Sequence, residues 1–244
     1  MTLAMFLGID PIWMLITLVA GGLSLAAQAR VKSAFHRFAQ VGVRSGMTGA
    51  EAALAVAHAG GAHDVTIERH QGFLSDHYDP RSRTLRLSPD VYDGRSISSI
   101  AVAAHEAGHA IQHAQAYAWL GMRSALVPVV NIGSRLWTIP FMIGAFMTAG
   151  SGSAGIGLML AGVALFGLVV LFQLVTLPVE FDASNRAKAV LASTGIVSSR
   201  EEAEGVSSVL GAAALTYVAA AAGSIIQLLY LVLQVLGRAQ GSRE

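Results

Sequence analysis

From Ala154 to Val179 the chain carries no charged side chain. Such a run is poorly suited to water, and about 20 residues of this kind in a helix cross the apolar core of a bilayer. Three further stretches have the same character. Leu3 to Ala29 holds one charge, Asp10; Ala125 to Ala149 is interrupted by Asn131, Ser134 and Arg135; Val209 to Leu236 is uncharged. Composition agrees, with 54% of residues apolar and only 13% charged, well under the roughly 25% charged share of soluble domains.

The first stretch reads as an uncleaved anchor rather than a secretion signal, because no basic residue precedes it and its apolar part is long. Nine of the sixteen Lys and Arg residues lie between Arg30 and Arg95, and such residues collect in cytoplasmic loops. The expected organisation is therefore an anchor over 1–29 with its N-terminus outside and a cytoplasmic part over 30–121. A two-span hairpin over 122–179, a cytoplasmic segment over 180–208 and a last span with its tail over 209–244 follow. Arg238 and Arg243 run against an outside C-terminus, and Arg135 either snorkels at the cytoplasmic surface or faces the protein interior. The cluster Arg30, Lys32, Arg37 and Arg44 suits a membrane surface. With net charge +1 and few aromatics, nucleic acid is not expected as a partner. The absence of cysteine excludes disulfides and thiolate ligands.

Within the cytoplasmic part, "RVKSAFHRFAQ" has helical character, and Thr48 with Glu51 forms a capping box ahead of an alanine-rich helix that Gly60 and Gly61 stop. "DVTIERH" alternates as a half-buried strand does, and "SDHYDPRSRTLRLSP" reads as a hairpin turning at Asp79 to Ser82. One helix is then expected from about Ser96 to Tyr117.

That helix contains "AVAAHEAGHAIQHAQAY". Residues four apart share a helix face, so His105 and His109 can both aim imidazole nitrogens at one ion, with Glu106 beside them. This is the HExxH arrangement, in which Zn2+ acidifies a water to a pKa of about 7 and the glutamate takes its proton during attack on a carbonyl. The plain alternative is a few polar residues on an amphipathic helix. The small apolar flanks Ala101 to Ala104, Ala107 and Ala110 argue against it, because they would bury a His-Glu-His face that then needs partners.

His113 stands about 12 Å along the axis from His105, too far to share one ion unless the helix breaks. It is expected either to support the site without binding metal or to be a structural histidine. A third ligand must come from elsewhere, and Glu180 in "LPVEFDASNRAKAVL" follows directly on the third span. The membrane hairpin returns it to the leaflet from which the histidine helix leaves. Its plain alternative is an interfacial carboxylate capping the next helix. Asp182, Ser184 and Asn185 are candidates to orient a ligand histidine.

Together, "AAHEAGHA", "DHYDPRSRTLRLSPDVY" and "LPVEFDAS" resemble the neutral zinc metallopeptidases of bacterial membranes, the YugP-like family, over nearly the whole chain. The order of HExxH helix, two-span hairpin and glutamate is also similar to that of the HtpX and CAAX-prenyl membrane metalloproteases. Those carry an aspartate four residues after the ligand glutamate, where this chain has Ser184. The resemblance implies a mainly α membrane protein of about four transmembrane helices with a cytoplasmic zincin-like α+β core containing a small β-hairpin. It further implies an inner-membrane Zn2+ endopeptidase acting on peptide or membrane-protein substrates. Such cores hold substrate against an edge strand, which makes His77, Tyr78 and Asp79 substrate candidates or simple turn residues. Tyr217 is either an oxyanion donor or an interfacial tyrosine.

Two rivals remain from the residues: a zinc-braced scaffold without activity, and a metal transporter lined by His105, His109, His113 and Glu180. The uncharged third and fourth spans disfavour transport. Small residues in "AGSGSAGIGLMLAG" suit close helix packing, within one chain or between copies of it, and the partners left open are a second copy of the chain and a regulatory membrane protein.

Overall fold

The computed structural model describes residues 10–73, 75–148 and 152–241. In chain order the elements are α1 (Pro11–Ala39), α2 (Gly49–Ala59), β1 (Thr66–Arg69), β2 (His77–Asp79), β3 (Thr84–Leu87) and α3 (Pro89–Tyr92). There follow α4 (Ile97–Ala114), α5 (Ala118–Leu136), α6 (Thr138–Met147), α7 (Gly152–Ser193) and α8 (Arg200–Gly241). They divide into two compact units, one of residues 1–25, 123–175 and 217–244, the other of 26–122 and 176–216.

The first unit is apolar. Among the described residues, α1, α7 and α8 are each long and apolar enough to cross a membrane, and α5 with α6 forms a fourth such segment only if the pair, bent by 40°, counts as one. The single second span expected over 125–149 is thus two helices, and Ala149 lies outside the described residues. Pro140 accounts for the break. It falls in the first turn of α6, where a missing N–H costs least, and it cannot donate to a carbonyl one turn back in α5. Phe141, Met159, Phe166, Val170, Leu231 and Val235 form the unit's core. Trp137 packs against Phe166 and Trp13 at ring separations of 4.8 and 6.2 Å. Asp10 accepts hydrogen bonds from Tyr230 and Gln234, so its carboxylate is paired within α8.

The second unit is a small helix and sheet assembly built around α4. Three strands lie in the order β1-β3-β2. β3 pairs antiparallel with β2, as the hairpin pattern predicts, and parallel with β1. Leu85 and Leu87 point from the central strand into a core shared with Val56 of α2, Ile97, Ile100 and Ile111 of α4, and Leu191 of α7. Arg83 takes a left-handed φ of 51° in the hairpin turn. Asp79 accepts from Arg86, Ser82 and the Arg81 amide, which holds its carboxyl well below the usual carboxylate range.

The Thr48 and Glu51 capping box is present. α4 stops at Ala114, three residues before the expected end. Ala116 adopts φ 51° there, its amide bonds to the His113 carbonyl, and Tyr117 bonds to Gln112, a Schellman ending with alanine in the place that glycine favours. α7 departs most from expectation: the boundary expected between 179 and 180 falls inside one helix that runs unbroken through Pro178 to Ser193. Buried Val175, Val179 and Ala183 on either side of the proline hold the helix where local propensity would end it.

A second capping box, Ser199 with Glu202, starts α8. Glu202 is 3% exposed, and its carboxylate accepts from the backbone amides of Ser198, Ser199 and, far away in sequence, Arg44. Burial raises its pKa, but these donors outweigh burial and hold it at about 2. A depressed carboxylate stabilises fully above its unfolded pKa of about 4.3, and the contribution is lost as pH falls toward the folded value. Glu202→Ala is therefore expected to cost about 1–3 kcal/mol at pH 7. In thermal unfolding of the detergent-solubilised protein, the gap between wild type and variant should narrow at pH 3.

Candidate metal centre

His105 and His109 stand one turn apart on α4, their rings edge to face at 4.8 Å. Both turn Nε2 toward the Glu180 carboxylate of α7, at 3.2 Å from His105 and 3.6 Å from His109. Glu180 is 3% exposed, and Glu106 and His109 are also buried. The three donor atoms lie within 4.8 Å of one another, the one group of this kind among the described residues.

These separations fit a metal. Ligands about 2.0–2.1 Å from a tetrahedral zinc stand roughly 3.3 Å apart, close to the two His to Glu distances. The other ring nitrogens are occupied elsewhere, His105 Nδ1 3.1 Å from Ser184 Oγ and His109 Nδ1 3.0 Å from Gln112 Oε1. Each imidazole thus presents its Nε2 inward. Two neutral nitrogens and a carboxylate are a donor set that zinc favours.

Backbone packing brings the ligands together. A side chain on Gly108 would place its Cβ 2.4 Å from the carbonyl oxygen of Ala183, so only glycine lets α4 and α7 approach this closely. Because α7 continues through Pro178, Glu180 is a mid-helix residue and not the cap of a following helix. Its register on α7 also fixes Asp182, Ser184 and Arg186.

Electrostatics follow from this burial. Desolvation pushes His109 down, yet the adjoining Glu180 carboxylate outweighs it and holds the imidazole above the usual histidine range. Asp76, just before β2, accepts from the amide and hydroxyl of Ser88. Burial, with a smaller contribution from the Glu106 charge, raises its pKa despite those bonds. It is thus a second carboxyl within electrostatic reach of Glu106.

The remaining sequence candidates divide. Ser184 meets His105 directly, while Asp182 meets no ligand histidine and instead accepts from Gln112 Nε2 at 2.8 Å and from Arg186. Asn185 is exposed. His113 contacts neither ligand histidine: its Nδ1 pairs with the Tyr78 hydroxyl at 2.8 Å. His77 Nδ1 is 2.9 Å from the Ser75 carbonyl. Tyr217 belongs to the apolar unit. Gln112 and Asp76 escaped sequence reading. Gln112 lies three residues after His109, a spacing that places it one turn along the same face, and this is the signal that could have found it.

Residues 13–236 match the model of a family described as "putative neutral zinc metallopeptidase". The chain belongs to this family. A relative named "Putative membrane protease YugP", from Bacillus subtilis (strain 168), is 47% identical over 222 residues, covering 91% of this chain and 96% of the relative. No solved structure matches the chain.

In this zinc metallopeptidase family member, the Gly108 contact gives a direct expectation. Gly108→Ala must push α4 from α7 and pull the histidines off Glu180, weakening zinc binding by at least about tenfold. Equilibrium dialysis against zinc, with circular dichroism to confirm retained helix, measures it.

Proposed function

We propose that the protein is a zinc-dependent integral-membrane endopeptidase that hydrolyses peptide bonds at or near the cytoplasmic face of the inner membrane. One observation carries the reading: the Glu180 carboxylate stands 3.2 and 3.6 Å from the Nε2 atoms of His105 and His109, with all three donors within 4.8 Å of one another and Glu106 the next residue along the histidine helix. Family membership and the membrane protease name of the Bacillus relative support it.

In this reading His105, His109 and Glu180 would hold the zinc. Bound there, zinc supplies Lewis-acid activation of water and of the scissile carbonyl. Glu106 accepts a proton from the attacking water at its carboxylate and returns it to the nitrogen of the leaving amine. The buried surroundings of Glu106 limit competition from bulk water. β2 lies at an edge of the sheet and offers unpaired backbone groups to an extended peptide. Tyr78, held by His113, marks that edge.

For the chain as a whole we read four crossings, with α5 and α6 together forming one broken span. The second unit forms the zincin-like core on the side of the membrane to which the Arg30 to Arg95 cluster points.

Glu106→Gln should retain one zinc per chain and lose cleavage of an unfolded polypeptide by about 10²–10⁴-fold. His109→Ala should lose both. Zinc by elemental analysis and cleavage by gel assay are read on the same detergent-purified samples; proteolysis retained by zinc-loaded Glu106→Gln overturns the mechanism.

A further inference from the structure

A histidine that binds metal through Nε2 keeps its proton on Nδ1, and that proton needs an acceptor if the ring is to stay in one orientation. Both histidines have such an acceptor here, and in neither case is it a carboxylate. His105 Nδ1 meets the Ser184 hydroxyl at 3.1 Å, and His109 Nδ1 meets Gln112 Oε1 at 3.0 Å.

The orientation of Gln112 follows from its other contacts. Its side chain is fully buried, and its Nε2 donates to the Val179 carbonyl at 2.8 Å and to Asp182 Oδ2 at 2.8 Å. Both partners accept only. Turning the amide over would bring its oxygen against two acceptors in a buried place, at the cost of two hydrogen bonds. The amide oxygen must therefore face His109, and His109 must carry its proton on Nδ1. Arg186 completes the chain by binding Asp182 and Gln115 Oε1 while lying over the Tyr117 ring at 5.4 Å.

Resting on the zinc reading above, we infer that Gln112 and Ser184 are the positioning residues of the two ligand histidines, with Asp182 and Arg186 locking the Gln112 amide. The carboxylate stays one residue back from the imidazole. Neutral acceptors fix both tautomers without adding negative charge to the rings, so the bound metal keeps more of its own charge for polarising substrate and water. Gln112 also ties α4 to the Val179 carbonyl, next to Pro178, and so holds the register of α7 on which Glu180 depends.

Zinc affinity tests this independently of proteolysis, by competition with a chromophoric chelator at fixed pH, alongside the visible spectrum of the cobalt-substituted protein. Gln112→Met, similar in volume, should weaken zinc by about 10–100-fold and alter the cobalt bands, with the metal-free protein less stable than wild type but still folded by circular dichroism. Ser184→Ala should weaken zinc by about tenfold, and Ser184→Thr, which keeps the hydroxyl, should restore it. Wild-type affinity in both Gln112→Met and Ser184→Ala overturns the inference while leaving the zinc site standing. A loss equal in Ser184→Thr and Ser184→Ala, or a loss in Gln112→Met matched by a collapse of metal-free stability, also overturns it. A wild-type chain that binds no zinc removes the inference and the proposed function together.

Discussion

The centre depends on one contact, the backbone of Gly108 against the backbone of Ala183. Two helices from distant parts of the chain meet there without intervening side chains. That closeness lets a short glutamate on α7 reach two imidazoles on α4. Ala104 and Ala107 on α4, and Ala183 and Ala187 on α7, are all buried, so the surrounding packing is made of small side chains. A metal site tolerates errors of only a few tenths of an ångström, and close-packed backbone varies less than long side chains do.

Around this contact the polar groups are arranged with little slack. The carboxylate of Glu180 lies between two imidazoles, each imidazole is held from behind, and the amide holding His109 is itself held by a charged pair. Fully satisfied buried networks of this kind specify one arrangement, whereas partly satisfied ones are costly. The same logic appears at the start of α8, where Glu202 gathers three backbone amides and ties residue 44 to a helix more than 150 positions away.

Much of this was legible in the residues because it rests on local periodicity. His105, Glu106 and His109 belong to one helical turn, and small flanking residues announce burial. The Thr48 capping box and the hairpin around Pro80 are equally short-range. Glu180 was reachable by topology, since the return expected after two apolar stretches would bring it back to the histidines, and α7 does carry it to them. Local rules failed where tertiary packing overrode them. The boundary expected after Val179 lies inside a helix that continues through Pro178 and is braced on both sides. The stretch over 125–149 reads as one continuous segment, yet a break at Pro140 divides it into two helices that make one span only if the bent pair counts as one. The parallel pairing of β1 with β3 left no mark in the sequence, because parallel and antiparallel partners share the same alternation. Nor could spacing reveal that Ser184, rather than Asp182, meets His105, or that His113 turns to Tyr78.

The most direct test of the account is X-ray absorption at the zinc K-edge of the purified, zinc-loaded protein. Two imidazoles with the remaining ligands oxygen, at about 2.0–2.1 Å, is the predicted result. A three-imidazole sphere would contradict it, by removing Glu180 from the metal and requiring a break in α4 that brings His113 to the ion.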